Sequence, residues 1–207
     1  MTRRSFALAV LTFIVAAAGV PALVRAEFPQ PSPYPKSWEL DFEHGKPKRV
    51  VVPEPRTNIP RAYWYMTYTV TNNTDREQLF LPSFELVTED GKVTRNDTNI
   101  PRAVFDVIKK REGMRFLESA AKIGGELRIG QDQGRDGVAI WPEPSPRMGQ
   151  FQVYVSGLSG ETATVKGPDG KDLILRKTLQ LNYLIRGDDV YPGEDQVNEN
   201  PQEWVMR

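Results

Sequence analysis

The sequence has no cysteine, a single histidine and no net charge, with 27 Lys+Arg set against 27 Asp+Glu. Each shortage excludes a class of chemistry. Without thiols there is no disulfide scaffold, thiolate nucleophile, zinc finger or thiolate-held iron–sulfur cluster. A lone imidazole excludes multi-histidine metal sites. The balanced charge argues against nucleic acid or anionic lipid as a partner. Glycine loops that cradle phosphate and the G-x-S-x-G nucleophile elbow are missing as well. No cofactor is implied. The 207 residues suit one domain of moderate size, able to bury roughly two-thirds of its unfolded surface.

The one long apolar run lies at the N-terminus. Arg3 and Arg4 precede residues 5–20, where Phe6, Leu8, Val10, Leu11, Phe13, Ile14 and Val15 stand among alanines. Val24-Arg25-Ala26 then sets small residues where a signal peptidase cuts, so residues 1–26 read as an export signal. An uncleaved anchor is the alternative, but the run is short for a span, which needs about 20 residues. Arg3-Arg4-Ser5-Phe6 also fits a twin-arginine signal, while Ala7 and Leu8 depart from its usual continuation, so general secretion stays open. Losing Arg3, Arg4 and Arg25 and no acid would leave a mildly acidic mature chain with an extracytoplasmic address. Its contact with membrane would be transient, through the signal.

Beyond the signal the chain reads as strands. Residues 27–36 carry alternating prolines and form an extended linker, a spacer or a ligand for a proline-recognising partner. Trp38, Leu40 and Phe42 alternate with Glu39, Asp41 and Glu43, the period-two pattern of a half-buried strand. Residues 49–52 make a short second strand. In residues 62–72 one face carries Trp64, Met66, Tyr68 and Val70, and the other Tyr63, Tyr65, Thr67, Thr69 and Thr71. Further strands are expected at 79–87, from Val93 after the Asp90-Gly91 turn, and at 127–129, 138–141, 150–156, 162–165 and 173–185. Trp64, Met66, Tyr68 and Val70 should meet Phe151, Val153, Val155, Leu179 and Leu181 in one core. Residues 101–112 break the pattern, with Val104, Val107 and Ile108 at helical spacing, Lys109-Lys110-Arg111 in the last turn and Gly113 to end it. A second short helix fits residues 116–122. The expected architecture is mainly β, an antiparallel β-sandwich over residues 37–186 with a helical insertion at about 101–122. Residues 187–207 read as an acidic tail whose Trp204 packs back on the domain.

Four features could carry chemistry. His44, the one imidazole, lies at a strand end and reads as a surface or capping residue rather than part of a Ser-His-Asp arrangement. Glu39, Asp41 and Glu43, with Asp188/Asp189 and Glu194/Asp195, are carboxylate sets, and two facing carboxylates at a defined separation could serve a glycosidase. The bland alternative is a solvated face. Asp132 and Asp136 sit in a Gly130–Gly137 stretch whose alternating acids and glycines could wrap Ca²⁺ with oxygen ligands. A further acid downstream is lacking before Glu143, so a polar turn is the alternative. The Tyr63, Tyr65 and Thr67 face is either cross-strand packing or a platform for sugar or peptide.

The stretch from Trp64 to Thr74, ending in Val70-Thr71-Asn72, and the hairpin bearing Glu89-Asp90-Gly91-Lys92 resemble the core of secreted bacterial immunoglobulin-like domains. Gly137-Val-Ala-Ile-Trp-Pro142 matches the Gly, strand and proline loop that often follows in such domains. Val155-Ser-Gly-Leu-Ser-Gly-Glu161 and the Glu203-Trp-Val-Met-Arg207 ending make the chain similar to an uncharacterised family of exported planctomycete-type proteins. The resemblance implies an immunoglobulin-like sandwich and no known activity. Taken together, the sequence leads to an exported, non-catalytic binding or structural module of the cell envelope, whose partner is an envelope protein or a glycan. A small carboxylate-dependent enzyme and a Ca²⁺-dependent adhesion or matrix component are the alternatives.

Overall fold

In the computed structural model, residues 28–96, 99–185 and 197–207 are described. The signal at 1–26 and the acids Asp188, Asp189, Glu194 and Asp195 lie outside the described residues. The rest is an antiparallel β-sandwich with a short helical insertion.

One sheet is built on β3 (Pro60–Thr71), the longest aromatic and β-branched run of the chain. β2 (Lys48–Pro53) pairs with its start, Pro60–Tyr65, β1 (Asp41–His44) with its end, Tyr68–Thr71, and β8 (Arg135–Pro142) with Tyr63–Val70. The opposing sheet contains β5 (Ser83–Thr88), β6 (Val93–Arg95), β9 (Gln150–Ser156), β10 (Thr162–Lys166) and β11 (Asp172–Ile185), in the order β10-β11-β9-β5-β6. β4 (Gln78–Phe80) and β7 (Gly125–Leu127) form a separate two-stranded ribbon. Because side chains alternate along a strand, the inner faces contribute Trp64, Met66, Tyr68 and Val70 from one sheet and Phe151, Val153, Val155, Leu179 and Leu181 from the other. These nine share a single buried cluster, as the alternation predicts.

The outer face of β3 is buried as well. Tyr63, Tyr65, Val50, Val52, Val138 and Ile140 form a second cluster with Val104, Ile108 and Leu117. The helix α1 (Arg102–Glu112) supplies Val104 and Ile108, starts after Pro101 and ends at Gly113, whose φ of 66° is the left-handed conformation glycine accepts readily. The helical insertion is thus a third layer. The segment expected as a second helix from 116 is helical only at α2 (Ala120–Ile123).

Tyr65 does more than pack. Its hydroxyl donates to Glu112 Oε1 at 2.7 Å, and Lys48 Nζ donates to Glu112 Oε2 at 3.0 Å. Burial pushes the Glu112 carboxyl up, but the Tyr65 hydroxyl and the Lys48 ammonium outweigh it and hold the group below the ordinary carboxylate range. A depressed folded pKa contributes stability that is present above the unfolded pKa, about 4.3, and is lost as pH falls through the folded value. Acidification below about pH 4 should therefore loosen α1 first. Hydrogen exchange of the α1 amides checks this. In Glu112→Gln the protection should be lower at neutral pH and should no longer fall further with acid, and an unchanged acid response in that variant would place the cause elsewhere.

Residues 187–196 of the expected acidic tail lie outside the described residues, and from Val197 the chain differs from the reading as a separate segment. β12 (Val197–Met206) pairs with β11 over Lys177–Ile185 and adds a strand to the sheet. Its register shifts opposite Gln180 and Asn182, next to Pro201. A bulge and a proline are what an exposed edge strand tolerates and what discourages further pairing. Trp204 packs against the core, as expected for an aromatic in a polar stretch. The proline-rich lead is also fastened. Ser32 N donates to Glu161 Oε1 at 2.9 Å, and Lys177 Nζ donates to Ser32 O at 3.4 Å. At that residue the lead is part of the fold rather than a free spacer.

Candidate functional site

The residues singled out in the sequence go to separate places. His44 is not a surface cap. It follows Phe42 on the inward row of β1, stacks on that ring at 5.7 Å and has its Nδ1 3.4 Å from the Tyr183 hydroxyl. Its Nε2 lies 3.4 Å from Gln202 Oε1 and 3.7 Å from Glu199 Oε1. The imidazole thus ties the end of β1 to β11 and β12. The Tyr183 phenol is pushed well above its ordinary pKa by burial, with the nearby Glu199 charge adding to the effect.

Asp41 and Glu43 lie on the exposed side of β1, as a solvated face requires, while Glu39, just before the strand, departs from it. Glu39 pairs with the buried Lys177 at 2.8 Å, and Asp41 accepts from Asn73 Nδ2. Asp132 and Asp136 do not converge on a common point in their contacts. Asp132 accepts from the neighbouring Gln133 amide in a 3₁₀ turn, and Asp136 accepts from Thr69 Oγ1 at 2.8 Å across the β3–β8 pair. Among the described residues no three His, Asp or Glu side chains are grouped for a metal ion. The last glycine of the 130–137 stretch, already on β8, has a packing reason. Gly137 stands opposite Tyr68, and a Cβ there would lie 2.4 Å from the tyrosine ring. Tyr65 and the ring of Tyr63 are packed in the second cluster beneath the helical layer, and Tyr63 also borders an open groove at the start of β3.

Among the described residues two open grooves of similar volume stand out. One lies between α1 and residues 114–122, about 970 Å³, lined by Phe105, Phe116, Leu117, Ile140, Lys109 and Arg115. Phe116 is 72% exposed there, with the Arg115 guanidinium 5.4 Å from its ring centre.

The other is a groove of about 960 Å³ at the corner where the start of β3 and the end of β8 approach β5 and β6. Its lining includes Arg61, Tyr63, Glu85, Arg95, Glu143 and Arg207. Glu85 holds two guanidinia. Its Oε1 accepts from Arg95 Nε at 3.1 Å, and its Oε2 lies 2.8 Å from an Arg207 terminal nitrogen. Arg207 also lies over the Tyr154 ring, 4.0 Å from its centre. Glu143 is taken from behind by Arg49, through bonds of 2.5 and 3.1 Å. Arg61 has Glu54 at 3.5 Å. The Tyr63 ring is buried in the second core while its hydroxyl reaches the groove. Burial pushes that phenol above its ordinary pKa, partly countered by Arg61 and reinforced by Glu54. The arrangement is a bank of hydrogen-bond donors on a rigid strand framework, able to hold anionic or polar groups without a deep enclosure.

Sequence reasoning did not find this groove. Its arginines stand at positions 61 on β3, 95 on β6 and 207 just past β12, and no local spacing connects them. No protein-family description, curated protein or solved structure matches the chain. Among the described residues no helix is long and apolar enough to cross a membrane.

Proposed function

We propose that the chain is an exported, non-catalytic binding module of the cell envelope, an immunoglobulin-like sandwich that presents its arginine-lined groove to another envelope component. The observation that carries this reading is the convergence of Arg61, Arg95 and Arg207 on one open groove. Binding residues commonly sit at the rim of a rigid scaffold in this way. The residues best able to supply acid–base chemistry have scaffold roles instead. His44 ties β1 to β11 and β12, and Glu39 balances Lys177. The ordered n-region, apolar run and cleavage site of residues 1–26 support export.

The test is capture from envelope extract with the chain from Glu27 onward as bait, run beside the Arg61→Ala/Arg95→Ala double variant and a hydrolase substrate panel. The expected result is a discrete envelope component retained by the parent, lost with the double variant, and no turnover. Turnover of any substrate that depended on Glu39, Asp41 or His44 would replace the binding reading with the enzymatic one.

A further inference from the structure

We infer that the groove recognises an acidic saccharide, a chain carrying carboxylate or sulfate groups along a polyol backbone; this rests on the binding-module reading above. Charge is the first argument. Among the described lining residues, Arg61, Arg95 and Arg207 face Glu85 and Glu143. Glu143 is already matched by Arg49, which lies outside the lining. Glu85 alone serves both Arg95 and Arg207. Arg61 has Glu54, also outside the lining, so with both outside partners counted four guanidinia stand against three carboxylates and the groove keeps an excess of one positive charge. Each guanidinium has five N–H donors, and the contacts with Glu85 and Glu54 engage a minority of them. Arg61 and Arg95 are 61% and 74% exposed along their side chains, so their remaining donors are open to a ligand. A guanidinium fork matches the paired oxygens of a carboxylate or sulfate.

The neutral lining is the second argument. The Tyr63 hydroxyl makes no hydrogen bond with another described residue, and its ring is fixed by burial at 4% exposure. Thr94 and Asn99 also line the groove. Such groups donate to and accept from sugar hydroxyls, which a purely anionic small ligand lacks. An acidic peptide fits less well. Peptide recognition relies on apolar pockets for anchoring side chains or on a free strand edge. The apolar lining here is confined to Ala62, Val93 and Pro142, and β6 is three residues long.

The groove volume is in the range of small-ligand sites, roughly 300–1,000 Å³, so a few sugar units rather than a long stretch would be engaged at once. Recognition through exposed arginines should also weaken as salt screens them.

The experiment is calorimetric titration of the chain from Glu27 onward with a galacturonic acid hexamer, a sulfated oligosaccharide of similar length, the neutral galactose hexamer and a glutamate hexapeptide. Binding of either acidic sugar, weakened by added salt and absent for the neutral hexamer, is expected. Arg61→Ala and Arg95→Ala should each weaken it about tenfold, the loss of a charge-assisted contact. Arg95→Lys should fall between Arg95→Ala and the parent, because it keeps the charge and loses the fork. Unchanged melting of these variants will show that the fold is intact. Which acidic sugar binds distinguishes carboxylate from sulfate as the group recognised. Equal binding of the glutamate peptide would overturn the saccharide assignment, and indifference to Arg61 and Arg95 would overturn the site. If neither acidic sugar binds while envelope capture still depends on Arg61 and Arg95, the saccharide inference fails and the module reading stands. If capture and titration both fail, both readings fail.

Discussion

Replacing Trp64 by alanine is expected to destabilise the fold by about 3–5 kcal/mol, the usual cost of deleting a fully buried indole. Trp64 has no solvent exposure and packs on Phe151 at 5.8 Å between ring centres, so its removal opens a cavity between the sheets. Its register partner on β8 is Trp141, itself fully buried, whose indole donates to Phe84 O at 3.3 Å across to the other sheet. The neighbourhood is held from both sides and has little freedom to collapse. The Trp64 indole nitrogen, in contrast, is buried without a hydrogen-bond partner among the described residues. Trp64→Phe should therefore cost much less than Trp64→Ala, since it keeps a ring and removes an unsatisfied donor. Urea unfolding of the two variants against the parent makes the comparison. Equal losses for Phe and Ala would show that the indole nitrogen is satisfied after all. A Trp64→Ala protein as stable as the parent would remove Trp64 from the core.

How legible this was depended on the kind of burial. β3 could be read because one side of it faces the core, and that imprints a period of two on Trp64, Met66, Tyr68 and Val70. Its partners Phe151, Val153, Val155, Leu179 and Leu181 carry the same imprint. The helix at 102–112 was readable from its period of 3.6 and its glycine stop. That it would cover Tyr63 and Tyr65 was not, because local periodicity says which face is apolar and not what lies on it. β12 was missed for a related reason. Residues 198–203 remain exposed and carry no apolar alternation; that stretch joins the sheet by backbone pairing with β11, which leaves no side-chain pattern. The groove is a tertiary coincidence of Arg61, Arg95 and Arg207. The family phrases of the resemblance did not include Arg61 or Arg95.

Lys177 was the least legible residue of all, and its loss should be as costly as that of Trp64. It occupies an inward position of β11 between Leu175 and Leu179, where the alternation calls for an apolar side chain. Its side chain is 3% exposed. The ammonium lies 2.8 Å from Glu39 Oε2, 3.6 Å from Glu161 Oε2 and 4.8 Å from the centre of the Trp204 ring, and it donates to Ser32 O. One charge thus joins the lead, the approach to β1, the start of β10 and the last strand. A buried pair adds little net stability over an apolar substitute, but removing one partner strands the other, at about 3–5 kcal/mol. Lys177→Met should show that loss, because Glu161 would remain buried without its cation. Adding Glu39→Gln and Glu161→Gln should restore much of it, since no uncompensated charge is then left inside. Amide exchange at Ser32 should rise in Lys177→Met and should stay high in the triple variant, which lacks both the ammonium and the Glu161 carboxylate that hold the lead. If Lys177→Met unfolds at the parent's urea midpoint, the ammonium is not isolated from water and the node is ornamental to the fold. If the triple variant is no more stable than Lys177→Met, the loss comes from packing and not from the stranded carboxylates.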